Sequence, residues 1–287
     1  MTYVVAGVSG NTGKVAAQAL LDAGQKVRVL VRDAAKGAAW AAKGAEVAVA
    51  DLGDTAALTT ALRGATAAYL LLPPNVASGD FRAYQRRTGE SVLAAVQQSG
   101  LGQVVFLSSV GAQHAAGTGP IAGLYPVEQG LKALGIGVTA VRAAYFMENL
   151  GGSLSMLPQG VLPSFTPTDL AFDMIATRDI GLVAAKALRE GAKGFEVIEL
   201  SAARRYSMDD AAAALTEITG STVKAQQFPL DAMVPTLTGF GFPADIAALY
   251  HEMTGAITRG HVAFEGGHRR VHGETDLTAV LRGILAR

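Results

Sequence analysis

The sequence predicts an α/β fold built on a doubly wound parallel sheet. Three observations carry that prediction. Short β-branched runs alternate with longer Ala- and Leu-rich segments through the first 150 residues, each longer segment ends on a Gly, and a glycine triplet stands between the first apolar run and the first helix-like segment. The β-branched runs are continuously apolar rather than alternating, as befits strands covered on both faces.

Strands are expected over residues 3–6, 26–31, 46–50, 67–72, 103–108 and 137–142, with helices over 13–23, 34–43, 55–62, 80–99 and 127–134. Gly24, Gly44, Gly64, Gly100 and Gly135 follow these helices, and glycine readily takes the left-handed conformation that closes a helix. After Asn149 the rhythm changes, and Gly151, Gly152, Pro158, Pro163 and Pro167 punctuate a loop-rich stretch. Regular elements return as a helix over 177–189, a strand over 196–200, a helix over 208–219 and a strand over 223–228, and residues 230–251 read as an apolar helical tail. The expected division is a nucleotide-binding domain over 1–150 and a smaller lobe over 151–287, some of whose elements rejoin the sheet.

Composition excludes several classes of function. Twenty-four Lys and Arg balance 24 Asp and Glu, so there is no basic field of the kind that nucleic-acid binding requires. Charged residues are 17% of the chain against 50% hydrophobic, and the mean hydropathy is +0.29, which suits a folded core rather than a disordered chain. Cys is absent, which removes disulfides, thiolate nucleophiles and Cys-ligated metals and leaves redox chemistry to a borrowed cofactor. The longest uncharged stretch, 91–127, is interrupted by Gln97, Gln98, Ser108 and Ser109 and does not read as a membrane span. With no signal-peptide pattern over residues 1–6, the expected location is cytoplasmic, and the expected assembly is a monomer or homodimer. HExxH, GxSxG and P-loop motifs are all missing.

The chemistry-bearing motif is Gly7-Val8-Ser9-Gly10-Asn11-Thr12-Gly13, placed between strand and helix. There Gly7 makes the tight turn, Gly10 lets backbone approach a pyrophosphate, and Gly13 lets helix pack on strand. Ser9, Asn11 and Thr12 bring further donors to the same anion. Its place between strand and helix favours a Rossmann-type dinucleotide site over a turn that is Gly-rich for steric reasons alone. About 20 residues on, an acid would read the 2′-hydroxyl of NAD, whereas an Arg would hold the 2′-phosphate of NADP. Arg32 stands there with Lys36 one turn further, which favours NADP(H) over NAD(H); the other reading makes Arg32 a solvated charge and Asp33 the ribose reader. Asp51 and Leu52 end the third strand at the adenine edge, although Asp51 also suits a helix cap ahead of Thr55. Leu72 and Pro73, after the fourth strand, would face the ribose and pyrophosphate.

Three residues are candidates for catalysis. Ser108 closes the fifth strand at the carboxyl edge, where doubly wound sheets bind ligands. His114, six residues later in a loop, titrates near neutrality, though a loop His is commonly only solvated. Tyr125 either approaches the nicotinamide ribose or simply packs at a helix start before Pro126. Tyr145 and Phe146 follow the sixth strand and would wall a flat pocket with Met147 and Phe165, or else form interdomain core. His261, Glu265, His268 and His272 recur at spacings of 4, 3 and 4, but Gly266 and Gly267 interrupt any helix that would align them, and no metal is expected.

The glycine loop, Val31-Arg32-Asp33, Asp51-Leu52, Ser108-Ser109, Val127-Glu128, Gly135, Arg142 and Phe146-Met147-Glu148-Asn149 together resemble the NmrA-like branch of the atypical short-chain dehydrogenases. The resemblance covers residues 1–149, continues through Thr177-Arg178-Asp179-Ile180-Gly181 and then loosens. It implies a Rossmann domain with a small α/β substrate lobe and an active site in the cleft between them. The branch includes NADPH-dependent quinone oxidoreductases, a triphenylmethane-dye reductase and redox-sensing regulators. Larger short-chain dehydrogenase families use a Tyr-x-x-x-Lys pair; counted back from Glu128, those positions hold Ile121 and Tyr125. Without that pair a ketone needs another acid, whereas a quinone or cationic dye accepts hydride without one. The resemblance therefore implies an NADPH-dependent oxidoreductase acting on a small conjugated acceptor. The alternative is a non-catalytic NADP(H) sensor, and a carbonyl reductase or isomerase using His114 or Tyr125 is a third reading.

Overall fold

A computed structural model describes residues 1–286. The strands are β1 (Thr2–Val5), β2 (Lys26–Val31), β3 (Glu46–Val49), β4 (Ala67–Leu71), β5 (Gln103–Ser109), β6 (Gly137–Ala143), β7 (Tyr145–Phe146), β8 (Val161–Ser164), β9 (Met174–Ile175), β10 (Phe195–Ala202), β11 (Lys224–Gln227) and β12 (Arg269–Gly273). The helices are α1 (Asn11–Asp22), α2 (Ala38–Ala41), α3 (Thr55–Leu62), α4 (Phe81–Ser99), α5 (Tyr125–Ala133), α6 (Thr177–Glu190), α7 (Met208–Thr219), α8 (Met233–Gly239), α9 (Ala244–Thr258) and α10 (Leu277–Leu285), joined by 3-10 turns at Ala34–Gly37, Gly119–Leu124, Met147–Gln159 and Leu230–Ala232.

Eight strands form one parallel sheet in the order β12-β10-β6-β5-β4-β1-β2-β3. The first six strands in sequence give the doubly wound order whose switch point lies between β1 and β4, the crevice where such sheets take ligands. Helices α1 and α6 pack together on one face, and α3, α4 and α5 follow one another across the other. The buried strand residues are mostly Val, Leu, Ala and Ile, with Tyr69 and Phe106 wholly enclosed. The five expected helix-ending glycines all have positive φ, between +67° and +88°.

The second half of the chain divides its residues between two structures. β10 and β12 extend the main sheet beyond β6, in register from Phe195 opposite Val138 to Leu200 opposite Ala143. The rest builds a separate core in which Met147, Leu150, Leu162, Met208, Leu215 and Leu281 are buried. The Glu148 carboxylate accepts the Thr177 N–H at 3.0 Å and so holds the start of α6 beneath this lobe.

One expected helix forms differently, and one strand stands where no element was expected. The tail over 230–251 is two helices rather than one, because Gly241 takes φ +86° and Pro243 starts α9. Residues 269–273 form a sheet strand, so the His spacing there reflects no helical face.

α1 and α6 approach closely because Gly181 has no side chain. A Cβ there would stand 2.6 Å from Val15 Cβ and 2.7 Å from the Thr12 carbonyl oxygen. Gly181→Ala is expected to destabilise by about 1–3 kcal/mol through overpacking, read as a lower denaturation midpoint with an unchanged slope. An unchanged midpoint would contradict the close packing.

Candidate active site

Gly7 adopts φ +67°, and its carbonyl accepts the Gly10 N–H at 2.8 Å, closing the turn that carries the chain from β1 to α1. A Cβ on Gly13 would run into the carbonyl oxygens of Ala6 and Gly7, so glycine is what seats α1 against β1. Helices α3, α4, α7 and α10 are capped by the side chains of Asp54, Asp80, Ser207 and Asp276. α1 instead opens on extended Gly10 with no side-chain acceptor and no acid in its first turn. Its leading N–H groups, with the positive end of the helix dipole behind them, suit an anion.

The loop's side chains are partly committed elsewhere. Thr12 Oγ1 accepts the buried Tyr69 hydroxyl at 2.9 Å, and burial raises the Tyr69 pKa. That bond ties α1 to β4 and leaves Thr12 its backbone N–H for a ligand. Asn11 accepts from Lys14 at 3.2 Å, while Ser9 and Gly10 lie exposed at the rim.

At the far end of the crevice, Arg32 and Lys36 are exposed and form no ion pair among the described residues. Asp33 caps the following 3-10 turn by accepting the Ala35 N–H at 2.9 Å, so the acid next to Arg32 is occupied. Asp51 accepts the Gly53 N–H at 2.7 Å, and Asp54, not Asp51, caps α3. Leu52 is buried, and Leu72 and Pro73 follow β4 half-buried. Tyr84 of α4 lies close enough to Asp51 and Arg32 to feel both charges, its pKa raised chiefly by burial. The sequence reading missed Tyr84, which nothing local distinguishes from a helix-face residue.

Ser108, His114 and Tyr125 gather around a buried arginine. Arg142 of β6 donates to both Glu128 oxygens, at 3.1 and 2.7 Å, and to Glu265 at 2.6 Å. Ser108 also donates to Glu128, which is wholly buried. Burial by itself lowers the Arg142 pKa, but the hydrogen bonds and charges of Glu128 and Glu265 outweigh it and hold the guanidinium above the ordinary arginine value. The hydrogen bonds from Arg142 and then His268 hold the Glu265 carboxyl below its usual range. Beside this network lies a polar groove of about 600 Å³, lined by Gln113, Tyr125, Lys132, Arg142, Phe195 and Glu265 among others. His114 stacks on His261 at 4.1 Å between centroids. Desolvation, followed by the proximity of His261, lowers its pKa. His272 instead contacts the Ala202 carbonyl at 3.0 Å.

A second cavity, of about 730 Å³, opens where β6 ends. Tyr145 forms part of its wall, with Phe165, Phe172, Phe228, Phe242 and Tyr250. Met156, Met208, Met233 and Met253 complete a lining with no charged side chain among the described residues. Met147 is buried beneath, and Phe146 pairs in register with Ile175. The α9 helix is anchored above the crevice at two points: Asp245 accepts the Phe81 N–H at 2.7 Å, and Glu252 accepts the Gly119 N–H at 3.2 Å. None of Ser108, His114 and Tyr125 lines this cavity; of the candidate residues, Tyr145 and Phe165 do.

Sheet order, glycine turn and open helix end define a Rossmann-type dinucleotide-binding protein whose second lobe shapes an apolar cavity. The chain belongs to the NmrA-like family, whose pattern matches residues 1–260. It is 28% identical over 263 residues to quinone oxidoreductase 2 of Escherichia coli strain K12, covering 89% of this chain and 88% of that one. It is 25% identical over 254 residues to an NAD(P)H azoreductase of Xenophilus azovorans, covering 87% and 85%. Among solved structures, an Escherichia coli NADPH-dependent quinone oxidoreductase complexed with NADPH superposes with a TM-score of 0.78 at 25% identity over the full length of both chains. A Citrobacter triphenylmethane reductase shares the fold with a TM-score of 0.81 at 20% identity, again over both full chains.

Two measurements test the polar network. Arg142→Met leaves the buried Glu128 carboxylate uncompensated and is expected to destabilise the protein by about 3–5 kcal/mol; adding Glu128→Leu should recover part of that loss in chemical denaturation. No recovery would contradict the pairing. By ring NMR, His114 should titrate below the ordinary 6.5, and His261→Ala should raise its midpoint. Because the folded value is the lower one, its contribution to stability is present above pH 6.5 and lost as pH falls through the folded midpoint. A midpoint at or above 6.5 would contradict the packed stack.

Proposed function

We propose that this chain is an NADPH-dependent oxidoreductase that delivers hydride to a small conjugated acceptor of the quinone or dye type. The observation that carries the reading is the uncharged, aromatic- and methionine-lined cavity at the end of β6, on a chain whose glycine loop and uncapped α1 suit a dinucleotide. The names of the relatives, a quinone oxidoreductase and an azoreductase, support it.

In this reading Gly7, Gly10 and Gly13 bring backbone N–H groups to the pyrophosphate, and Arg32 with Lys36 takes the 2′-phosphate. Leu72, Pro73, Ser108, Tyr125 and Phe146 border the path toward the nicotinamide. The bound dinucleotide supplies the hydride. The chain's own work is positional: a dry apolar wall orients a flat acceptor and excludes water, and most of the rate comes from that proximity. The Ser108 hydroxyl is already bonded to Glu128, so it serves as a buried support of the Glu128–Arg142 pair. The acceptor is a small molecule, the setting cytoplasmic, and the assembly a monomer or homodimer.

The test is steady-state turnover of a quinone with NADPH and with NADH, before and after Arg32→Glu. Loss of a charge-assisted phosphate contact should raise KM for NADPH on the order of 10- to 100-fold, with a much smaller change for NADH. Equal changes for both cofactors would refute the role of Arg32. Tight NADPH binding with no turnover of quinones or dyes would replace the enzyme reading by that of a sensor.

A further inference from the structure

Among the described residues the cavity's lining has no charged side chain but includes polar groups that the proposed function does not use, among them the Tyr145 hydroxyl. Tyr145 leaves the end of β6 and stands on the cavity wall, its ring held edge-on by Phe172 at 5.5 Å between centroids. Two polar groups accompany its hydroxyl: the Asn149 carboxamide and the Tyr250 hydroxyl. Both residues also line the cavity. The Tyr145 hydroxyl hydrogen has no acceptor among the hydrogen bonds of the described residues.

We propose that Tyr145 donates a hydrogen bond to the oxygen of a carbonyl-type acceptor as that oxygen takes on negative charge, making it a catalytic residue for quinones in particular. The proposal rests on the oxidoreductase reading above. In the step, hydride with its electron pair passes from the reduced dinucleotide, which is oxidised, to the quinone, which becomes the hydroquinone monoanion. Tyr145 keeps its proton throughout, and water supplies the proton that completes the hydroquinone after release. A cationic triarylmethane dye takes the same hydride at its central carbon and becomes neutral, generating no oxyanion for a donor to meet. The two acceptors therefore place different demands on one hydroxyl.

Burial pushes the Tyr145 hydroxyl up to about 12, with the nearby Tyr250 adding to the shift, so the group remains a donor across the working pH range. In a cavity without charged groups, a donor fixed before reaction stabilises developing charge with little reorganisation.

The experiment compares wild type with Tyr145→Phe, which keeps the ring and its edge contact. It measures kcat with NADPH for an uncharged naphthoquinone and for a cationic triarylmethane dye. The ratio of quinone to dye kcat should fall on the order of 100-fold in the variant. General damage to the cavity or to dinucleotide binding would lower both rates together and leave the ratio unchanged, which overturns the proposal. A second measurement requires no turnover: 4-nitrophenol is bound to each protein and its ionisation followed by absorbance. The bound phenol should ionise about one pH unit lower in wild type than in Tyr145→Phe, a tenfold preference for the oxyanion. Equal values also overturn the proposal. If wild type reduces neither acceptor while the phenol shift is present, the oxidoreductase reading fails and the donor role of Tyr145 stands.

Discussion

The buried bond between Arg142 and Glu128 is the constraint on which the rest of this site depends. One guanidinium joins β6 to α5, reaches β5 through the shared Glu128–Ser108 contact, and meets Glu265 from a segment 123 residues further along the chain. A pair of this kind adds little net stability over well-packed apolar groups, because both ions lose their water. It does discriminate against wrong packings: shifting α5 or β6 would strand a charge in the core. The Glu265 end carries that precision outward, since the same segment stacks His261 on His114 and then enters β12, the outermost strand of the sheet.

The site separates two kinds of surface that short-chain dehydrogenases bring together. Ser108, Glu128 and Arg142 are hydrogen-bonded to one another, and Arg142 lines a polar groove with Tyr125. The apolar cavity beyond β6 draws its walls from the second lobe. Chemistry that needs only a positioned hydride and a stabilised product suits such a division. Ketone reduction, which must protonate an alkoxide, does not.

Much of the fold was legible because its determinants are local. Continuous apolar runs mark strands buried on both faces, and each helix-closing glycine sits where a side chain would be strained; Gly7 and Gly13 likewise reveal a turn and a contact within a few residues of themselves. What remained hidden depends on residues far apart in sequence. β12 is a strand because β10 lies beside it, and its own five residues, Arg-Arg-Val-His-Gly, carry little β pattern. The expected single helix over 230–251 breaks at Gly241 and Pro243, where a positive φ and a fixed φ interrupt it. The cavity wall was the least legible part: Phe165 was expected there, but Phe228 and Phe242 come from separate connections, each too irregular for a periodicity to announce which way its ring turns.

The central claim is that an uncharged cavity receives the hydride acceptor beside a bound NADPH. The most direct measurement is anaerobic stopped-flow oxidation of NADPH by the unmodified protein, with a neutral naphthoquinone and with its sulfonated counterpart. The account predicts rapid oxidation with the neutral quinone and a kcat/KM lower by on the order of 100-fold for the sulfonate, since the lining offers no cation to pair with a buried sulfonate. Equal rates for the two, or NADPH binding without oxidation by either, would contradict it.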